Sequence, residues 1–459
     1  MEEKLTENKM GIMPVGKLLI SMSVPMMCSM IVQALYNIVD SIFVARVCED
    51  ALTAVSMAFP LQSLLIAIGA GTGVGVNALL SKALGEKKPE EAGMIAMNGI
   101  FLSLCSYVAF AVIGLTCVKA FYAGQTDNPV INGYGVQYLT IVCCLSCGIF
   151  TQFIFERLLQ STGKTIYTMY TQGIGAIVNL ILDPILIFGL FGLPRLEVAG
   201  AAIATVIGQI VAGSIAIFFN LKVNHEINFR LKGFKPSGEI IRKIYAIGIP
   251  SIIMQSIGSV MVYGLNTILM FFSSTAVAVF GVYFKLQSFV FMPVFGLNNG
   301  LIPIMAYNYG AKKKKRMLDA FKYAIFMAVA IMCIGAAIFE IIPDFLFRMF
   351  DASDTMLEMG ILALRIIAVH FPIAAVCIVT GAVFQSLGKA IYSMINSIMR
   401  QLVVLLPVAY LLALTGNVNN VWWSFPIAEI MSGMVTLIFF LKLNKDIIQK
   451  IPSEEENVA

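Results

Sequence analysis

Charge is scarce in this chain. Asp, Glu, Lys and Arg make up 12% of its 459 residues, and 59% are hydrophobic. Soluble domains carry about 25% charged residues, so a soluble globular protein is excluded and most of the chain is assigned to a lipid bilayer. Nucleic-acid binding is excluded with it. The formal net charge is +5, but no soluble domain exists to carry a clustered basic face. Nine cysteines are an odd number, and Cys28, Cys105, Cys143, Cys144, Cys147, Cys333 and Cys377 all lie in apolar runs, so no disulfide framework is expected. Cys143, Cys144 and Cys147 have no His or carboxylate beside them and read as small buried hydrophobes, not metal ligands. Residues Met1 to Gly16 lack a short apolar core ending in a small-residue cleavage site, so a cleaved signal peptide is not expected.

Phosphate-binding loops are missing too. Gly69, Gly71, Gly73 and Gly75 fail the G-x-G-x-x-G spacing because Val74 and Val76 stand where glycines are required. Close helix packing explains them better. Gly163-Lys164-Thr165 resembles the end of a phosphate loop, but Leu158 occupies the place of its first glycine. ATP hydrolysis is therefore excluded, and energy must come from an ion gradient, a partner or the substrate itself. No cofactor is expected, and no nucleophile or metal cluster accompanies the membrane acids to make an enzyme.

What is present is length and apolarity. Twelve segments, at 16–46, 51–81, 92–118, 130–155, 165–190, 197–221, 240–271, 275–309, 318–341, 356–384, 391–414 and 418–441, each reach the ~20 residues that span a bilayer. Lys and Arg crowd one set of loops: Lys82, Lys87 and Lys88; Arg157 and Lys164; the run from Lys222 to Lys243; Lys312 to Arg316; and Lys389. The opposite loops hold only Arg46, Lys119, Arg195 and Arg348. Both termini fall with the basic set, which places them in the cytoplasm.

The chain repeats at an offset of 225 residues. Pro25 falls on Pro250, Leu61-Gln62-Ser63 on Leu286-Gln287-Ser288, Gly75 on Gly300, Gly85 on Gly310, and Gln160-Ser161 on Gln385-Ser386. The expected organisation is all-α and polytopic: an N-terminal six-helix lobe over 1–221, a basic cytoplasmic linker over 222–239, and a C-terminal six-helix lobe over 240–459. An even helix count per half makes the two repeats parallel. Two such lobes around a central cavity suit alternating-access transport.

Polar groups inside the spans mark candidate sites. Gln33, Asn37 and Asp40 are spaced i, i+4, i+7, so a helix puts them on one face. A carboxylate there costs ~2.5–3.5 kcal/mol on insertion scales. Asp40 is either locked by a neighbouring helix or binds a proton or an ion. Gln172, Asn179 and Asp183 form a second such face, followed by Pro184. Amide oxygens and carboxylates are hard ligands for Na⁺ and good partners for a shared proton. At the repeat offset Asp40 falls on Leu265 and Asp183 on Val408, so the acids serve a task performed once, in the N-terminal half. The second half offers Gln255, Ser259 and Tyr263 on one helix face, and Lys285 and Arg365 within spans. Lys285 either contacts substrate or neutralises an acid, or it snorkels. Glu429 shows no partner in the sequence.

These features together resemble the multidrug and toxic compound extrusion (MATE) family. The resemblance rests on the two parallel six-helix repeats, the Gln33–Asp40 motif, the Gly69–Asn77 stretch leading to Ser81-x-x-x-Gly85, and the Gln-Ser-x-Gly-Lys repeats. Asp40 with Asn179-x-x-x-Asp183 resembles the DinF-like branch, which implies that Asp40, Asp183, Asn179 and Asn37, with Thr205, bind the coupling H⁺ or Na⁺. Gln33, Tyr36, Gln255, Tyr263, Lys285 and Arg365 are the candidate substrate-cavity residues. The implied function is secondary-active antiport in a bacterial cytoplasmic membrane, exporting hydrophobic, often cationic compounds and conferring antibiotic resistance. The chain is expected to work as a monomer, with small molecules and the bilayer as its partners. The alternatives are a lipid-linked saccharide flippase or, in another class, a membrane receptor.

Overall fold

A computed structural model describes residues 8–229, 233–350 and 352–452. No strand occurs among the described residues, and long helices follow one another with short turns. In chain order they are α1 (Val15–Ala45), α2 (Glu49–Gly85), α3 (Pro89–Thr116), α4 (Pro129–Cys144), α5 (Cys147–Ser161), α6 (Thr165–Phe188), α7 (Glu197–Val223), α8 (Gly238–Met270), α9 (Ser274–Gly310), α10 (Lys314–Ile341), α11 (Asp354–Ala368), α12 (Phe371–Ser386), α13 (Ala390–Ala413) and α14 (Ser424–Asp446). Ten of the described helices are long and apolar enough to cross a membrane alone. The pairs α4/α5 and α11/α12 qualify as bent spans, with bends of 44° and 50°, which brings the total to twelve. Leu115, Phe191, Phe271 and Ile341 are among many large apolar side chains left exposed. Such a surface suits lipid, where the helical backbone satisfies its own hydrogen bonds.

The 225-residue repeat is also a repeat of structure. Glu49–Gly85 corresponds to Ser274–Gly310, Pro89–Thr116 to Lys314–Ile341, and Thr165–Phe188 to Ala390–Ala413, each end falling on its counterpart. The devices that set those ends are conserved in role while residues change. Cys48 Sγ accepts the Ala51 N–H as the cap of α2, and its counterpart Ser273 Oγ accepts the Ala276 N–H at the start of α9. Asn128 caps α4 and its counterpart Ser353 caps α11. Lys87 and Lys312 close the basic turns with φ of 58° and 56°. Gly135 leaves room for the Tyr122 ring, as Gly360 does for Phe347.

Packing divides the chain into two compact units, Cys28–Ile252 and Met1–Met27 with Ile253–Ala459. These limits differ from the lobe limits read from the sequence, 221 and 240, because the opening stretch of each repeat belongs to the other unit. The glycines of α2 and α9 are the reason. A methyl group on Gly71 would stand 2.5 Å from Ile252 Cγ1 and 2.9 Å from its amide nitrogen. In the other unit, one on Gly296 would stand 2.6 Å from Met27 Cα, and one on Gly300 would stand 2.6 Å from Ser23 Oγ. Only glycine admits a second backbone this closely. Both cuts fall two residues after a helical proline, Pro25 in α1 and Pro250 in α8, where the ladder has lost a hydrogen bond.

Candidate functional site

The unit Cys28–Ile252 carries buried acids on three helices. Asp183 is fully buried on α6, one residue before Pro184. Asp40 on α1 faces it within hydrogen-bonding reach. Asp40 Oδ1 is buried and has no hydrogen-bond partner. Asn179, one turn before Asp183, bridges it to α7. Its Nδ2 lies 3.4 Å from Asp183 Oδ1 and 3.3 Å from Thr205 Oγ1. Exchanging the amide oxygen and nitrogen improves both contacts: Nδ2 donates to Asp183 Oδ2 at 3.2 Å and Oδ1 accepts the Thr205 amide at 3.2 Å. Four of the expected site residues, Asp40, Asp183, Asn179 and Thr205, are thus brought together by α1, α6 and α7.

Asn37 is not among them. It is exposed, and its carbonyl accepts the Ser41 hydroxyl at 2.9 Å. The inward stripe of α1 runs through Ser29, Gln33, Tyr36 and Asp40, and Asn37 stands one position off it. Gln33 and Tyr36 line a cavity of about 70 Å³ with Ser29, Gln152, Gln172, Asn179, Thr205 and Gln209; Ile149, Phe153, Gly175, Ala176 and Gly208 complete its wall. No lining residue carries a formal charge. Behind the wall lies Glu156 on α5, 2% exposed, which accepts from Gln152 and Gln172.

The other expected cavity residues lie in the unit that holds Ile253–Ala459, and they do not cluster. Tyr263 is 76% exposed. Gln255 and Lys285 are exposed, and Lys285 sits over the Phe350 ring at 6.0 Å. Arg365 is half exposed, with Glu340 Oε2 at 3.8 Å.

Two pairs of charged groups are not legible in the sequence. The sequence groups Arg157 with a basic loop, yet α5 continues to Ser161; Arg157 is buried and donates to Gln160 Oε1 at 2.8 Å. Its neighbour Glu156 carries one signal in the sequence, Gln152 one turn earlier on the same helix face. Glu429, without a visible partner in the sequence, pairs with Arg400: Nη1 to Oε2 is 3.1 Å. Arg400 lies in a π-helical stretch of α13, Met399–Leu405.

The MatE family model matches residues 25–185 and 249–411. The multidrug export protein MepA of Staphylococcus haemolyticus is 26% identical over 428 residues, 93% of this chain and 93% of that protein. MepA of Staphylococcus aureus is 25% identical over 432 residues, with the same coverage of both. Among solved structures, an outward-facing multidrug resistance MATE family transporter of the MOP superfamily superposes with a TM-score of 0.91 at 24% identity, covering 98% of this chain and 100% of that one. A MOP superfamily transporter from Pyrococcus furiosus, described as having a binding pocket of reversed polarity that suggests a different function, gives 0.90 at 25% identity with the same coverage.

Proposed function

Because the chain belongs to the MatE family of transporters, we propose that it is a secondary-active multidrug exporter driven by H⁺ or Na⁺, of the DinF-like branch. The observation that carries this reading is the meeting of Asp40 and Asp183 beside Asn179 and Thr205, at the edge of an amide-lined cavity. Two carboxylates side by side repel, and a proton or Na⁺ between them removes the repulsion. The unpartnered Asp40 Oδ1 and the carboxyl oxygens of Asp183 supply oxygen ligands of the kind either ion takes, and Asn179 holds Asp183 in place. Occupancy would neutralise this corner and favour a conformation that releases substrate; the ion and the compound then compete through conformation. One net charge crossing the membrane is worth about 2.3 kcal/mol per 100 mV, enough to support more than a tenfold gradient.

The exported compounds would be hydrophobic and often cationic; the MepA relatives are multidrug export proteins. The repeat halves, 1–221 and 240–459 about the linker 222–239, would be the moving lobes. The protein would act as a monomer in a bacterial cytoplasmic membrane, with both termini inside. A lipid-linked saccharide flippase finds less support, since Lys285 and Arg365 are not gathered at one site.

Dye movement in proteoliposomes, with pH and Na⁺ gradients imposed separately, tests the proposal. One gradient should drive export, and Asp40→Asn should abolish the driven component. Transport by wild type under neither gradient, or full coupling in the variant, would overturn it.

A further inference from the structure

Glu156 is a buried acid that the Asp40–Asp183 pair does not use. Gln172 Nε2 donates to its Oε2 at 2.8 Å, and Gln152 Nε2 donates to its Oε1 at 3.0 Å. Oε1 has a second neighbour, Thr171 Oγ1, at 2.8 Å. That hydroxyl oxygen also lies 2.8 Å from the Thr168 carbonyl oxygen. A hydroxyl has one proton to give, and here it stands between two acceptors. One added proton makes both contacts hydrogen bonds, and the carboxyl is the group that can hold it. With Glu156 protonated, its O–H donates to Thr171 and Thr171 donates to Thr168. With Glu156 ionised, Thr171 turns its proton to the carboxylate, which then accepts three hydrogen bonds. The Thr168 carbonyl gives up little, because a helical carbonyl has its own amide partner one turn on. The site accommodates both states by turning one hydroxyl.

The site is separate from the pair. Thr171 and Asp183 lie more than three turns apart on α6, ~18 Å along its axis. Arg157, buried beside Glu156 on α5, is the charged group that bears on it. From α6 come Thr171 and Gln172; α2, α3 and α7, which also pack on α5, bring no acid or base to it among the described residues. We propose that Glu156 is a proton-binding site of its own, a carboxyl that senses pH from behind the cavity wall, with Thr171 as its switch. Gln152 and Gln172 line the cavity as well as holding the carboxyl, so they connect its charge to whatever the cavity holds. The inference does not depend on which ion the pair takes. The repeat supplies a control. Gln152, Glu156, Thr171 and Gln172 fall on Cys377, Gly381, Asn396 and Ser397, so the fold itself does not require the group.

Infrared difference spectroscopy tests this on the full chain, purified in a maltoside detergent that has no ester carbonyl. The protein carries Asp40→Asn and Asp183→Asn, so that the pair is silent. Raising the pH from about 5 to about 9, which brackets ordinary and strongly perturbed carboxyls, should remove one protonated-carboxyl C=O band. That band should be missing once Glu156→Gln is added. Thr171→Val keeps the shape of the side chain but removes a hydrogen bond from the ionised carboxylate. It should raise the titration midpoint of the band by about one pH unit, as for one hydrogen bond to a charged group. A Thr171 that only fills space would leave the midpoint alone, and this variant carries the test should Glu156→Gln fold poorly. Identical difference spectra with and without Glu156→Gln, a Glu156 band unchanged across the range, or an unmoved midpoint in Thr171→Val would overturn the proposal. None of these readouts uses dye movement, so a failure of the export reading would leave this one standing.

Discussion

The two repeats share helix ends, caps and turns, yet they differ in what they bury. Gly175 and Ala204 lie on α6 and α7, where Gly175 and its neighbours help line the cavity. Their counterparts 225 residues on are Arg400 and Glu429, an ion pair whose carboxylate is buried and whose guanidinium is partly exposed. Small residues leave room in the first repeat, and a charged pair occupies the same places in the second. The polar wall is lost as well: Gln33, Tyr36, Asn179, Thr205 and Gln209 fall on Gly258, Met261, Val404, Ile430 and Met434. One scaffold has therefore been furnished twice, once as a polar cavity and once as a filled, internally neutralised core. Scaffold is what both copies keep, and function is sought in what one copy alone has.

The comparison can be broken at several points. The largest effect is expected at the acids. Asp183→Asn should reduce gradient-driven dye export to the protein-free baseline, while Val408→Ala at the counterpart should leave most of it. Equal losses, read as initial rates in proteoliposomes, would mean that the acids are scaffold. Next comes the ion pair. Glu429→Ala leaves the partly exposed Arg400 charge without its ion-pair partner and should cost less than the about 3–5 kcal/mol of a fully buried pair, seen as a fall in Tm in detergent. The double change Arg400→Leu with Glu429→Met should recover most of it. Equal damage from the single and the double change would argue against a plug held by charge pairing.

A smaller effect is expected at Tyr122, whose hydroxyl donates to the Ala54 carbonyl at 2.7 Å. Its counterpart is Phe347, so Tyr122→Phe makes the first repeat resemble the second and should cost about 1 kcal/mol. The smallest lies in the basic turns. Burial disfavours the Glu86 carboxylate, but Lys88 and Lys82 outweigh it and hold the carboxyl below its ordinary value. A depressed carboxyl stabilises the fold above its unfolded pKa, about 4.3, and that contribution is lost as pH falls through the lower folded value. Glu86→Gln should slightly flatten the acid limb of a stability profile. The matching turn, with Ala311 in place of Glu86, has no such contribution to lose.

Much of this architecture was legible in the sequence because hydropathy and identities such as Leu61-Gln62-Ser63 survive in order along the chain. The bends at Ser146 and His370 were not, since a window of mean hydropathy does not register a change of direction. Glu156 and Arg157 hid at the end of an apolar run, where charge reads as loop. Tyr36 lies on the inward stripe of α1 and Asn37 one position off it, and a period of ~3.6 residues does not choose between them over so few turns. Arg400 and Glu429 are on different helices, and only tertiary packing brings them together.

The π-helical stretch Met399–Leu405 also changes how ancestry is to be counted. Such a turn takes in an extra residue, so everything beyond it is rotated by about 100° against the matching helix. Before residue 399 the counterpart of a position is found by counting, and after 405 it is found by angle. The direction held by Asp183 on α6 then belongs on α13 to Ala409, one place beyond Val408. Ala409 is fully buried, as Asp183 is, whereas Val408 is only partly so. The two helices have the same number of residues, so the π turn sets the copies apart in phase as well as in residues.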